Sequence, residues 1–219
     1  MPRHCKGRDM TESNKQTPIR QQGFTLVELS ISMVLIAGLM LAGFYIIKRI
    51  RTDAAVNATI ASANLSMNKA NAAFAGTDNT IGANTTTLYA MNVWPKERVV
   101  TATNASGVTS VVSVKGQFSG SEEMMWTDAD ASSPKFSGFI YVFWHIPSEA
   151  CLPLIKNLAL HPNTRSIRAA ATSSVKPTGG WGGIVGTVKD GQGDLNLGNA
   201  ATQCLKADWV NVAVQFDKS

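Results

Sequence analysis

A single carboxylate, Glu28, interrupts an otherwise uncharged apolar run over residues 24–47, in the stretch Gly23-Phe24-Thr25-Leu26-Val27-Glu28. A lone carboxylate in hydrocarbon costs at least ~2.5–3.5 kcal/mol on insertion scales, so such a group calls for a cationic partner. Two other residues have chemistry that depends on where they lie. Cys151 and Cys204 are the only cysteines outside the first 23 residues, where Cys5 sits. They lack the nearby His or Cys ligands that would make a zinc site. Two readings remain for them. A disulfide is the natural one if the chain after residue 50 lies outside the cytoplasm, and a pair of buried thiols is the other.

The remaining candidate motifs are weak. GGWGGIVG (179–186) is neither a dinucleotide fingerprint nor a phosphate loop with its G-K-[ST] ending, and reads as a surface loop. DGQGDLN (190–196) offers oxygen ligands without the spacing or the distal Glu of a calcium loop, and reads as a turn. Of the three histidines, His4 lies in the first 23 residues, His145 ends an apolar run and His161 precedes Pro162. No nucleophile-elbow motif joins them to a serine, so no catalytic residue, metal ligand or cofactor is assigned. Trp94, Trp126, Trp144, Trp181 and Trp209 are spread along the chain and read as core or interface anchors. Glu122, Glu123, Asp128 and Asp130 form a small acidic stretch that reads as a solvated loop.

The elements that must carry Glu28 are plain. The run over 24–47 is long enough to cross a hydrocarbon core, which takes roughly 20 apolar residues. It is too long for a secretory signal core, and Lys48, Arg49 and Arg51 follow it in place of a small-residue cleavage site. The first 23 residues hold five Lys/Arg against Asp9 and Glu12, which favours a cytoplasmic leader. The formal net charge of +5 over 219 residues is concentrated there. With no dense basic patch interleaved with aromatics, a dedicated nucleic-acid surface is not indicated. Beyond the run, Val56, Ile60, Ala63, Met67, Ala70 and Phe74 repeat at helical spacing, with Asn57, Thr59, Asn64, Asn68 and Lys69 elsewhere on the wheel. The pattern predicts one helix over 24–75, weakened at Gly38 and Gly43 and stopped at Gly76.

Glycine, aromatic, glutamate five residues on, a long apolar run and a basic leader together resemble the type IV prepilin signature. The resemblance implies cleavage between Gly23 and Phe24 by a prepilin peptidase, N-methylation of Phe24, and an assembly role for Phe24 and Glu28. Cleavage would create an amine at the depth of the carboxylate. A helix cannot readily fold its own first amine onto its fifth side chain while sliding into a bundle, whereas a neighbouring subunit's amine can meet it. Apolar helices in lipid otherwise have little drive to associate. The 23-residue leader and the long remainder resemble type IVb pilins, including those of conjugative thin pili. Phe24 departs toward type IVa.

After residue 76 the composition turns to Asn, Thr, Ser and Gly with β-rich runs. FIYVFWHI (139–146) reads as a central buried strand. WVNVAVQF (209–216) reads as a half-buried one, with Val210, Val212, Val214 and Phe216 on one face. Residues 107–118, and more weakly 87–93 and 98–102, are further strand candidates. Residues 147–160 read as a short helix with Ser148 as a possible cap, delayed or irregular because of Pro153. The expected fold is α+β, with the stripe of the long helix covered by an antiparallel sheet. Its parts are a leader (1–23), a helix (24–75, of which 24–47 is transmembrane or filament core) and a head (76–219) that holds the Cys151–Cys204 region. The expected function is structural: a pilus subunit, first single-pass in the inner membrane and then in an extracellular filament. Its partners would be copies of itself, the peptidase and the assembly machinery, and the filament would serve a role such as adhesion or conjugation. A minor pilin or type II secretion pseudopilin is the alternative within the class. A signal-anchored periplasmic binding or catalytic domain is the rival outside it, and would keep its leader.

Overall fold

The computed structural model describes residues 25–77, 80, 82–103, 105–107, 109–128, 138–172, 176, 181, 184–191 and 193–217. The chain divides into two compact units, residues 1–45 and 46–219. Helix α1, Leu26–Ala73, is continuous through 48 residues. Neither Gly38 nor Gly43 interrupts it. It ends as the glycine predicts: the Phe74 and Thr77 amides donate to the carbonyls of Ala70 and Phe74, and Gly76 adopts φ +82°.

Within the first unit, the apolar side chains of α1 are exposed, from Leu26 through Tyr45. The most apolar 18-residue window of the helix has a mean hydropathy of 2.2 and no buried residue. By length and composition this segment can cross a membrane.

The second unit is a seven-stranded antiparallel sheet with helices. The strands are β1 (Val99–Thr103), β2 (Thr109–Lys115), β3 (Glu122–Thr127), β4 (Gly138–Pro147), β5 (Thr164–Ala171), β6 (Gly186–Lys189) and β7 (Trp209–Asp217). Their spatial order is β1-β2-β3-β4-β7-β5-β6. Helices α2 (Thr85–Ala90), α3 (Ser148–Ala159) and α4 (Leu197–Cys204) complete it. The main core joins the α1 stripe (Val56, Ala63, Met67, Ala70, Phe74) to the sheet and to α3 and α4. This is the α+β architecture expected, with the helix stripe against an antiparallel sheet. Thr59 and Ser66 are buried with the stripe, while Ile60 is half-buried. The Thr59 hydroxyl donates to the Ala55 carbonyl at 2.8 Å, which lets a polar residue occupy a dry position.

Several expectations need correction. Residues 87–93 are not a strand. Asn84 caps a helix there, its Oδ1 accepting from the Thr87 amide at 2.9 Å. β2 and β3 share only two registered pairs, Val114–Glu123 and Lys115–Glu122. Beyond them α2 fills the opening, with the Thr85 hydroxyl within 3.2 Å of both the amide and the carbonyl of Met125. β7 is buried on both faces from Val210 to Val214, not half-buried, because a second cluster (Met124, Trp126, Ile140, Val142, Ile184, Ala213) covers the face opposite the main core. Trp126, Trp144 and Trp181 meet in that cluster and so are not spread out in space. α3 begins at Ser148 and runs unbroken past Pro153, and Ser148 does not cap it: the cap position is Pro147, with no side-chain bond. Glu122 and Glu123 lie on β3, not in a solvated loop, and Asp128 is buried, paired with Gln215. Asp130 and residues 179, 180, 182 and 183 lie outside the described residues, while Ile184 is buried in the second cluster and Gly186 begins β6, so this end of 179–186 is not a surface loop.

Gly138 opens the central strand at a close approach. A Cβ there would lie 2.4 Å from the carbonyl oxygen of Phe216. Gly138→Ala should therefore lower the stability of the second unit by roughly 1–3 kcal/mol, the usual cost of forcing extra volume into a packed site. Urea denaturation of the full chain in detergent measures this, and an unchanged midpoint would contradict it.

Candidate functional site

Helix α1 starts on a side-chain cap. The Thr25 carbonyl accepts the first helical bond from the Leu29 amide at 3.1 Å, and the Thr25 Oγ1 accepts from the Glu28 amide at 3.2 Å. Thr25 thus occupies the cap and Glu28 the third helical position, the spacing of a capping box. The pattern Thr-x-x-Glu before an apolar run was legible in the sequence and was missed there. Ser30 and Ser32, the other polar residues of this stretch, donate to the carbonyls of Val27 and Glu28, both at 2.8 Å. Their hydroxyls are therefore spent within the helix. The Glu28 side chain is exposed. Gly23 and Phe24, the expected cleavage, methylation and assembly residues, lie outside the described residues.

The family described as the prokaryotic N-terminal methylation motif matches residues 19–44. The chain carries a type IV prepilin methylation motif. The match takes in Gly23, Phe24, Thr25 and Glu28, the residues on which the prepilin resemblance rests. No curated protein matches the chain. Among solved structures, the crystal structure of type IV b pilin from Salmonella typhi aligns with 12% identity and a TM-score of 0.49, over 74% of this chain and 99% of that one.

Two further groups of reactive side chains lie in the second unit. Cys151 on α3 and Cys204 on α4 form a disulfide with a Cα–Cα distance of 5.6 Å, buried in the main core. The second group was not visible in the sequence. Glu123, only 1% exposed, accepts from the Tyr141 hydroxyl at 2.5 Å and from Arg98 at 2.8 Å. Trp94 Nε1 donates to Tyr141 at 3.3 Å, and Arg98 also reaches Ser62 of α1 at 2.5 Å and the Lys115 carbonyl at 2.9 Å. This ties α1 to β3 and β4 through polar contacts inside an apolar core. Burial pushes the Glu123 carboxyl above its ordinary value of 4.5, although the charge of Arg98 and the bonds from Tyr141 and Arg98 act the other way. Burial and the Glu123 charge likewise hold the Tyr141 phenol well above 10.0, so it remains a donor. None of the described His, Cys, Asp or Glu residues gathers into a metal-binding group.

The direction of the Glu123 shift has a consequence for stability. The native state holds this proton more tightly than the unfolded chain does. The associated stabilisation is complete below pH ~4.3 and is lost as pH rises through the raised folded value. Glu123→Gln, which cannot ionise, should remove this part of the pH dependence and flatten the denaturation midpoint between pH 4 and 7 relative to wild type. An identical pH profile in the two proteins would contradict the assignment.

The disulfide joins residues 53 apart. In the chain-entropy account a loop of that size contributes about 4 kcal/mol, less any strain or residual denatured-state order. Cys151→Ser or Cys204→Ser should give a second unit cut readily by protease. Peptide mapping without reductant is the direct check, and alkylatable thiols at both positions in native protein would refute the bond.

Proposed function

We propose that the chain is a structural subunit of a bacterial type IV pilus, of IVb type, and acts by polymerising and not as an enzyme. The observation that carries this reading is the methylation motif set on a helix whose apolar side chains are exposed and whose only charge from Leu26 to Ile47 is Glu28. A prepilin peptidase cuts between Gly23 and Phe24, and Phe24 is N-methylated. The precursor sits single-pass in the inner membrane with its leader cytoplasmic. In assembly, the Glu28 carboxylate of one subunit meets the Phe24 amine of another, and the apolar segments of many copies form the filament core.

Intact-mass analysis of membrane or filament protein tests the reading. The mature chain should begin at Phe24 and carry a methyl group, and Gly23→Arg should leave an inserted, uncut precursor. Glu28→Val should spare insertion, because it makes the helix more apolar, and should cut filament yield sharply. A product that begins at Met1, or normal filament yield from the Glu28→Val protein, would overturn it.

A further inference from the structure

The apolar segment is followed at once by three cations, Lys48, Arg49 and Arg51, and the first acid after them is Asp53. All three side chains are exposed on α1. At 100° per residue, Lys48 lies between Arg49 and Arg51 on the wheel, so the three span close to half of the helix circumference. Among the described residues, only Lys48 of the three has an acidic partner: it pairs with Glu149 of α3 at 2.9 Å, and remains 69% exposed. Thr52, one turn on, is held by the same Glu149 at 3.3 Å. Glu149 therefore fastens the start of α3 to this turn of α1, while the three cations still outnumber the two acids beside them, Glu149 and Asp53.

Positive charge on this side of an apolar span works against the usual bias of membrane insertion, which keeps Lys and Arg with the cytoplasmic flank. Its presence calls for an anion at the level where the helix leaves the bilayer. We infer that Lys48, Arg49 and Arg51 form a collar that binds the anionic headgroups of phospholipids before assembly. The inference rests on the reading of residues 24–47 as a membrane span. Lys and Arg place their stems along apolar surface and their charged heads at the interface. The guanidinium groups of Arg49 and Arg51 suit bidentate phosphate contacts, and the Lys48 ammonium supplies a point charge. Each cation near an anionic surface is worth roughly fivefold in affinity. The collar would thus set the depth of the span and favour phosphatidylglycerol over a zwitterionic lipid around it.

The test uses the full chain in nanodiscs made from equal parts phosphatidylglycerol and phosphatidylcholine. Incorporation is scored first, by size exclusion, and the lipids retained on release are then counted by native mass spectrometry. Wild type should retain phosphatidylglycerol several-fold over phosphatidylcholine. Lys48→Gln/Arg49→Gln/Arg51→Gln should incorporate equally and lose the preference, while the charge-preserving Lys48→Arg/Arg49→Lys/Arg51→Lys should keep it. Inorganic phosphate at millimolar concentration should leave retention unchanged; displacement by phosphate would mark a general anion site and overturn the lipid assignment. Equal retention of the two lipids by wild type, or an undiminished preference in the glutamine variant, would overturn the collar and leave the membrane reading standing. Failure to incorporate would overturn both.

Discussion

A carboxylate that must leave water needs a cation, and among the described residues no side chain supplies one to Glu28. Glu28 stands within the first turn of a long apolar helix, one turn after the cap made by Thr25. The nearest cations in sequence are Arg20 on one side and Lys48 on the other. Twenty residues of helix rise about 30 Å, so Lys48 is out of reach along the helix. In the proposed filament this deficit becomes the drive to associate: an exposed apolar helix gains little by leaving lipid for other helices, whereas a charge that finds its counterion gains a good deal.

Glu123 shows the opposite solution. It lies inside the sheet-and-helix core, yet Arg98, Tyr141 and, through Arg98, Ser62 surround it. The raised carboxyl pKa indicates that burial costs more than these partners return. Such a cluster is a weak source of stability, and a shift of α1 along the sheet would part Ser62 from Arg98. The disulfide between α3 and α4 and the Lys48–Glu149 pair between α1 and α3 add further ties around the same helix. The second unit thus grips its part of α1 through ionic, hydrogen-bonded and apolar contacts. Glu123 is satisfied within the chain, whereas the proposed filament leaves Glu28 to a partner.

What the sequence revealed follows from the range over which each signal acts. α1 was legible because a continuous apolar run and a helical stripe are both local patterns. β4 and β7 were legible because their side chains are almost all apolar or β-branched. β5 (TRSIRAAA) was missed because its arginines and alanines give no strand-like alternation, and only pairing with β7 makes it a strand. β3 was misread for a related reason: Glu122 and Glu123 look solvated until Lys176 and Arg98 are brought to them from distant parts of the chain. The threonines of α2 favour strand by propensity, and the opening between β2 and β3 makes them helical. At the N-terminus almost everything was readable, since glycine, aromatic and glutamate act within six residues. Thr25, the one omission there, was equally local.

The central claim is that Glu28 is neutralised by the amine of another copy, and solid-state NMR of assembled filaments tests it most directly. Filaments are grown from a mixture in which some subunits carry carboxyl-labelled glutamate and others carry nitrogen-labelled phenylalanine. The account predicts dipolar transfer between the Glu28 carboxyl carbon and the Phe24 nitrogen in the mixed sample, consistent with charges within ~4–6 Å. Transfer absent from the mixed sample, while present in filaments of doubly labelled subunits diluted into unlabelled ones, or absent from both, would contradict it.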